Sequence, residues 1–126
     1  MRKAEIIDRL NALDFDKADY WVITGSAMVL YGLREQTHDI DLGCTTALAD
    51  RLEAQGLPVE FRADGSRKLT IGTDVELFEN WLFDGVQLLD GIPVISLQGL
   101  VEMKTRLGRD KDLRDLRLIC DYLAQK

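Results

Sequence analysis

At 126 residues, 46% hydrophobic and 30% charged, the chain is sized for one folded domain with a substantial core, which excludes a disordered tail. A net charge of −6 argues against broad, sequence-independent nucleic-acid binding. No apolar stretch is long enough to span a bilayer, no apolar region follows the opening Met-Arg-Lys-Ala-Glu, and the two cysteines share no motif, so a reduced, cytoplasmic setting is expected.

Ile6, Ile7, Leu10 and Leu13 recur at helical spacing and predict an amphipathic helix over 2–13. Tyr20 to Thr24 is a short β-rich run ending at a glycine, the pattern of a buried strand. Ser26 is placed to cap a short helix holding Ala27, Met28, Leu30 and Tyr31, closed by Gly32. Asp39 to Leu42 reads as a strand, and residues 46–55 as a helix stopped by Gly56 and Pro58. Pro58–Phe61, Lys68–Gly72 and Asp74–Phe78 follow as strands, with Asp64-Gly65 turning between the first two. Asp84-Gly85 suggests a hairpin into Val86–Leu89. Ser96 caps a helix to about Leu107, and Asp110 caps a last helix with Leu113, Leu116, Ile119 and Leu123 on one face. No linker or repeat divides the chain, so residues 1–126 are expected to form a single α/β (α+β) domain, a mixed sheet flanked by helices and ending in a helical pair. Cys44 and Cys120 are expected as small core residues.

Three features carry chemistry. Gly25-Ser26 stands where a strand passes into a helix, and the missing Cβ and free N–H groups there let a phosphate come close. Asp39 and Asp41 are two apart on one strand, so their carboxylates share a face about 7 Å apart and call for a cation between them. Asp74 and Glu76 alternate with apolar residues on a later strand, and one of them is placed to join the first pair. Glu76 is favoured because it lies deeper in the apolar run.

Lys104 falls on the apolar stripe of Leu97, Leu100, Val101 and Leu107, so its ammonium either snorkels to the rim or meets a buried anion. Beyond it, Asp112 and Asp115 share a helix face and could reach the same place, or serve as caps and surface ion-pair partners. His38, the sole histidine, rules out a multi-histidine metal site. The charge is uneven: residues 73–90 hold five acids and no base, whereas 103–126 hold seven Lys/Arg against four Asp.

In this order and spacing, Gly25-Ser26, Asp39-x-Asp41 and Glu76 resemble the nucleotidyltransferase superfamily, whose fold is shared with the catalytic domain of DNA polymerase beta. Thr24-Gly25-Ser26-Ala27-Met28 together with Lys104 and Arg109-Asp110-Lys111-Asp112-Leu113-Arg114-Asp115 is similar to the lincosamide nucleotidyltransferases and the nucleotidyltransferase-like proteins of type IV toxin–antitoxin systems. The resemblance covers residues 20–120 and implies Mg²⁺-dependent transfer of a nucleoside monophosphate from a nucleoside triphosphate such as ATP to a hydroxyl acceptor. It further implies that Asp39, Asp41 and Glu76 hold two Mg²⁺ ions, that Gly25 and Ser26 hold phosphates, and that Lys104 offsets triphosphate charge. The third carboxylate departs from the more usual Asp, and the chain is shorter than most of the toxin relatives.

The competing expectation is a non-catalytic module of the same fold, acting as a toxin–antitoxin component, partner subunit or homodimer. Trp81, Leu82 and Phe83, three consecutive bulky residues beside a turn, would supply its contact surface, unless they fold back over the sheet.

Overall fold

The structure, a computed structural model, describes residues 1–125. Its elements run α1 (Lys3–Leu13), β1 (Tyr20–Ile23), α2 (Thr24–Leu30), β2 (Ile40–Cys44), α3 (Thr46–Ala54), β3 (Val59–Phe61), β4 (Arg67–Ile71), β5 (Val75–Glu79), β6 (Val86–Leu89), β7 (Ile92–Ile95), α4 (Leu97–Leu107) and α5 (Asp110–Ala124). The strands form one mixed sheet in the order β3-β4-β5-β2-β1-β7-β6. β2 runs antiparallel to β1 and parallel to β5, and β1 runs parallel to β7. This is the α+β architecture expected from the sequence, with α4 and α5 as the closing helical pair.

Side-chain alternation along the paired strands divides the sheet into two faces. Val22 pairs with Leu42 and Leu42 with Leu77, so Tyr20, Val22, Ile40, Leu42, Cys44, Val75 and Leu77 form one continuous buried layer. The register Trp21↔Gly43, Ile23↔Asp41 and Asp41↔Glu76 puts those five residues on the opposite face. Gly43 is required there, because a Cβ would stand 1.9 Å from the Trp21 indole nitrogen.

Local chemistry explains most element ends. The Thr45 hydroxyl accepts from the Leu48 N–H at the start of α3, and Ser96 accepts from Gly99 N–H at the start of α4, as expected of that serine. α4 closes on Gly108, whose φ of 59° is the left-handed cap geometry.

Several expectations are corrected. α2 begins at Thr24 with Ile23 as its N-cap, so Ser26 lies inside the first turn and does not cap it. The N-cap of α5 is Arg109, whose N–H donates to the Asp112 carboxylate at 3.1 Å, and Asp110 is the first helical residue. The hairpin forms around Asp90-Gly91 between β6 and β7, not at Asp84-Gly85; Ile92–Ile95 is a strand despite Pro93. On α5 only Ile119 of the expected apolar face is buried, Leu113 and Leu123 are exposed, and Cys120 is exposed while Cys44 is buried. The inward face of α5 is instead taken by Asp112 and Asp115. Trp81, Leu82 and Phe83 are half-buried against the core, with Trp81 tilted on Phe78 and the Trp21 Nε1–H donating to the Trp81 carbonyl at 3.0 Å. That segment folds back over the sheet.

Candidate functional site

The site forms where β1 passes into α2. Thr24 makes the turn with φ 51°, a left-handed conformation that is costly for a β-branched residue. In return its Oγ1 donates to Asp41 Oδ2 at 2.6 Å. Gly25 follows and lines the cleft; a Cβ there would meet Arg34 Nη1 at 3.0 Å and Thr37 Oγ1 at 3.2 Å, so the Arg34 guanidinium lies directly over this turn. Ser26 points inward. Its hydroxyl donates to the Ile23 carbonyl at 2.8 Å and accepts from the Asp41 N–H at 3.1 Å, so it pins α2 to β2 and does not face the cleft.

Asp39 is exposed just ahead of β2, and Asp41 is half-buried one position inside it, with both lining a cleft of about 560 Å³. Burial raises the Asp41 carboxyl above its ordinary value, Thr24 opposes that through its hydrogen bond, and the neighbouring Glu76 and Asp39 charges raise it further while Lys111 lowers it. Asp41 therefore senses both expected partner carboxylates and one cation across the cleft. Glu76 stands beside it in register on β5, where its carboxylate pairs with Lys68 Nζ at 3.3 Å. Asp74, the other candidate, is held by Arg9 of α1 through two bonds of 2.9 and 3.2 Å. Glu76, not Asp74, is the register partner of Asp41.

Asp41 and Glu76 on one sheet face, with Asp39 just ahead of β2, are hard oxygen donors of the type Mg²⁺ takes. Their donor chemistry suits that ion, yet among the described residues no three Asp, Glu, His or Cys side chains converge as a ready-made cluster. Thr24 donates to the Asp41 carboxylate and Lys68 pairs with that of Glu76.

The opposite wall comes from α4 and α5. Lys104 is 2% exposed, and its Nζ lies 2.8 Å from Asp115 Oδ2 and 3.4 Å from Asp112 Oδ1, so its partner is a pair of buried carboxylates. Asp112 also accepts from Arg109 Nε at 2.6 Å and Nη2 at 3.2 Å. Burial pushes the Asp112 carboxyl up, but the Arg109 bonds and the Lys104 charge outweigh it and hold the group below its ordinary value. Arg34 reaches Asp115 at 3.9 Å, linking the α2 side of the cleft to this network.

Asp39, Asp41 and Gly25 are thus brought together on one wall, and Lys104 lines the same cleft with its charge already matched. Glu76 adjoins Asp41, and Ser26 supports it from behind. Sequence reasoning missed Arg34 and Lys68 as site neighbours, and it placed Thr24 in the motif without a role for its hydroxyl. The dense charges at 109–115 were the signal for Lys111 and Arg114, which also line the cleft.

No protein-family model and no curated protein sequence matches the chain. Among solved structures it is similar to TM1012 of Thermotoga maritima, a proposed nucleotidyltransferase, with a TM-score of 0.65 and 20% identity over 100% of this chain and 97% of that one. It is also similar to ANT(2'')-Ia, solved in complex with adenylyl-2''-tobramycin, with a TM-score of 0.54 and 18% identity over 83% of this chain and 79% of that one. The chain has the nucleotidyltransferase fold.

Proposed function

We propose that this chain is a Mg²⁺-dependent nucleotidyltransferase that moves a nucleoside monophosphate from a nucleoside triphosphate to a hydroxyl acceptor. The observation that carries this reading is the placement of Asp39 and Asp41 on the cleft wall with Glu76 in register beside Asp41 on the same sheet face. The adenylylated acceptor in the ANT(2'')-Ia structure supports it.

Asp39, Asp41 and Glu76 would hold the magnesium, which when bound supplies charge neutralisation at the phosphates and a more acidic acceptor hydroxyl. The remaining work falls to the chain's own residues. Gly25 lets the phosphates approach the backbone without a Cβ in the way. Ser26 fixes α2 against β2, so that Gly25 and Asp41 keep their relative placement. Lys104 fixes α5 through Asp112 and Asp115, a role different from direct contact with the triphosphate. Glu76 takes the acceptor proton as the acceptor oxygen bonds to the α-phosphorus, the bond from that phosphorus to the bridging oxygen breaks, and pyrophosphate leaves.

A non-catalytic module of the same fold is the second reading. It is favoured by one observation, that Lys68 and Thr24 engage Glu76 and Asp41 while no metal-ligand cluster is assembled among the described residues. Pyrophosphate release from each of the four common nucleoside triphosphates, with Mg²⁺ and a panel of hydroxyl acceptors, separates the two. Release that vanishes in Asp39→Asn supports the enzyme; equal release in wild type and variant, or none with any pair, supports the module.

A further inference from the structure

The phosphate-binding charge of this cleft has to come from somewhere other than Lys104. Lys104 and Arg109 face Asp112 and Asp115 at salt-bridge distance, so that group is internally balanced. Lys111 and Arg114 are different. They stand three apart on α5, a spacing that puts them on one helix face; both are exposed, both line the cleft, and neither has an ion-pair partner among the described residues. Arg34, across the cleft, lies over Gly25 and only 3.9 Å from Asp115.

Charge bookkeeping across the cleft points the same way. Its lining holds five Lys/Arg side chains against three Asp, and Asp112 behind Lys104 and Arg109 makes four, which leaves one excess cation in a chain whose net charge is −6. A local surplus of that kind on an acidic protein concentrates anions at one place. The volume of about 560 Å³ suits a small molecule and not a nucleic-acid strand, which would need a basic surface extending beyond the cleft.

We propose that Lys111, Arg114 and Arg34 form a polyphosphate-binding wall, which takes the phosphate tail of the nucleoside triphosphate while Lys104 serves only to position α5. This rests on the reading under Proposed function for the nucleoside end of the ligand, but not for the anion site itself. Arg34 meets the phosphates at the Gly25 turn, and Lys111 and Arg114 meet them from α5. The buried Lys104–Asp112–Asp115 network sets the rotation of α5 that aims those two side chains inward.

The test uses inorganic tripolyphosphate, without divalent metal, titrated into the full chain by calorimetry at constant salt. The double variant Lys111→Ala/Arg114→Ala is expected to lose at least tenfold in affinity, since charge-assisted bonds to phosphate are among the stronger polar contacts. Arg117→Ala, three residues beyond Arg114 and outside the cleft lining, is expected to bind as wild type. Both sites are exposed, so melting temperatures should be unchanged. Equal binding by the double variant, an equal loss in Arg117→Ala, or no tripolyphosphate binding by wild type would each overturn the wall. Failure of the transferase reading looks different: tripolyphosphate binding persists with the Lys111/Arg114 dependence, while Mg²⁺ changes nucleotide binding in neither wild type nor Asp41→Asn.

Discussion

Thr24 shows how much of this site rests on a single side chain. A β-branched residue at φ 51° is strained by about 1–3 kcal/mol, and its hydroxyl donates to the Asp41 carboxylate. Thr24→Gly should therefore stay within about 1 kcal/mol of wild type in urea unfolding, because relief of strain offsets the lost bond. Thr24→Val keeps the strain and removes the donor, and should cost about 1–2 kcal/mol. This turn was not legible in the sequence, since a β-branched threonine is among the last residues expected with positive φ. Glu79 is the second case. The Arg67 hydrogen bonds at 3.0 and 2.7 Å hold its buried carboxyl down at about 2. A folded-state value below the unfolded one means the stabilisation is complete above the unfolded range and is lost as pH falls through the folded value. Glu79→Gln should cost about 3 kcal/mol at pH 7, and the gap to wild type should close between about pH 4.5 and 2 in chemical denaturation.

Among the elements, the pairing of α4 with α5 is the one whose energetics are most exposed to a single change. Removing the ammonium of Lys104 leaves Asp112 and Asp115 buried without their shared cation, and Lys104→Met should destabilise the fold by about 3–5 kcal/mol in equilibrium unfolding. Gly99 is the contact point of α4 with the Trp81–Phe83 segment. A Cβ there would stand 2.0 Å from the Phe83 carbonyl oxygen, so Gly99→Ala should cost about 1–3 kcal/mol and lower the melting temperature. Lys104 was legible from sequence as an anomaly on an apolar stripe, and the helix spacing of Asp112 and Asp115 hinted at a common target. That they are one another's partners was not legible, because nothing in the spacing fixes how two helices rotate against each other. The strand Ile92–Ile95 was missed for a simpler reason: a proline in a four-residue run reads as a breaker, and only pairing with β6 on one side and β1 on the other reveals it.

At the scale of the whole molecule, most of the sheet was readable, because strands β2, β4 and β5 carry clear alternation and the turns between them carry Gly and Asp. The register Asp41↔Glu76 was readable only as an expectation, since two carboxylate strands become neighbours through a parallel crossover that no local pattern encodes. Nor could the sequence indicate that Arg9 takes Asp74 and Lys68 takes Glu76, contacts that bring together residues far apart in the chain or across strands. What the assembled molecule offers is a cleft with carboxylates on its sheet wall and, on its helical wall, Lys111 and Arg114, which have no ion-pair partner among the described residues. On the proposed function, this cleft binds a nucleoside triphosphate through Mg²⁺ held by carboxylates that include Asp39 and Asp41. Calorimetric titration of ATP, with GTP, CTP and UTP alongside, into wild type and Asp41→Asn, each with and without Mg²⁺, tests it most directly. Binding by wild type should strengthen at least tenfold with Mg²⁺, and in Asp41→Asn that Mg²⁺ effect should be gone. Equal Mg²⁺ dependence in both proteins, or no nucleotide binding by either, would contradict it.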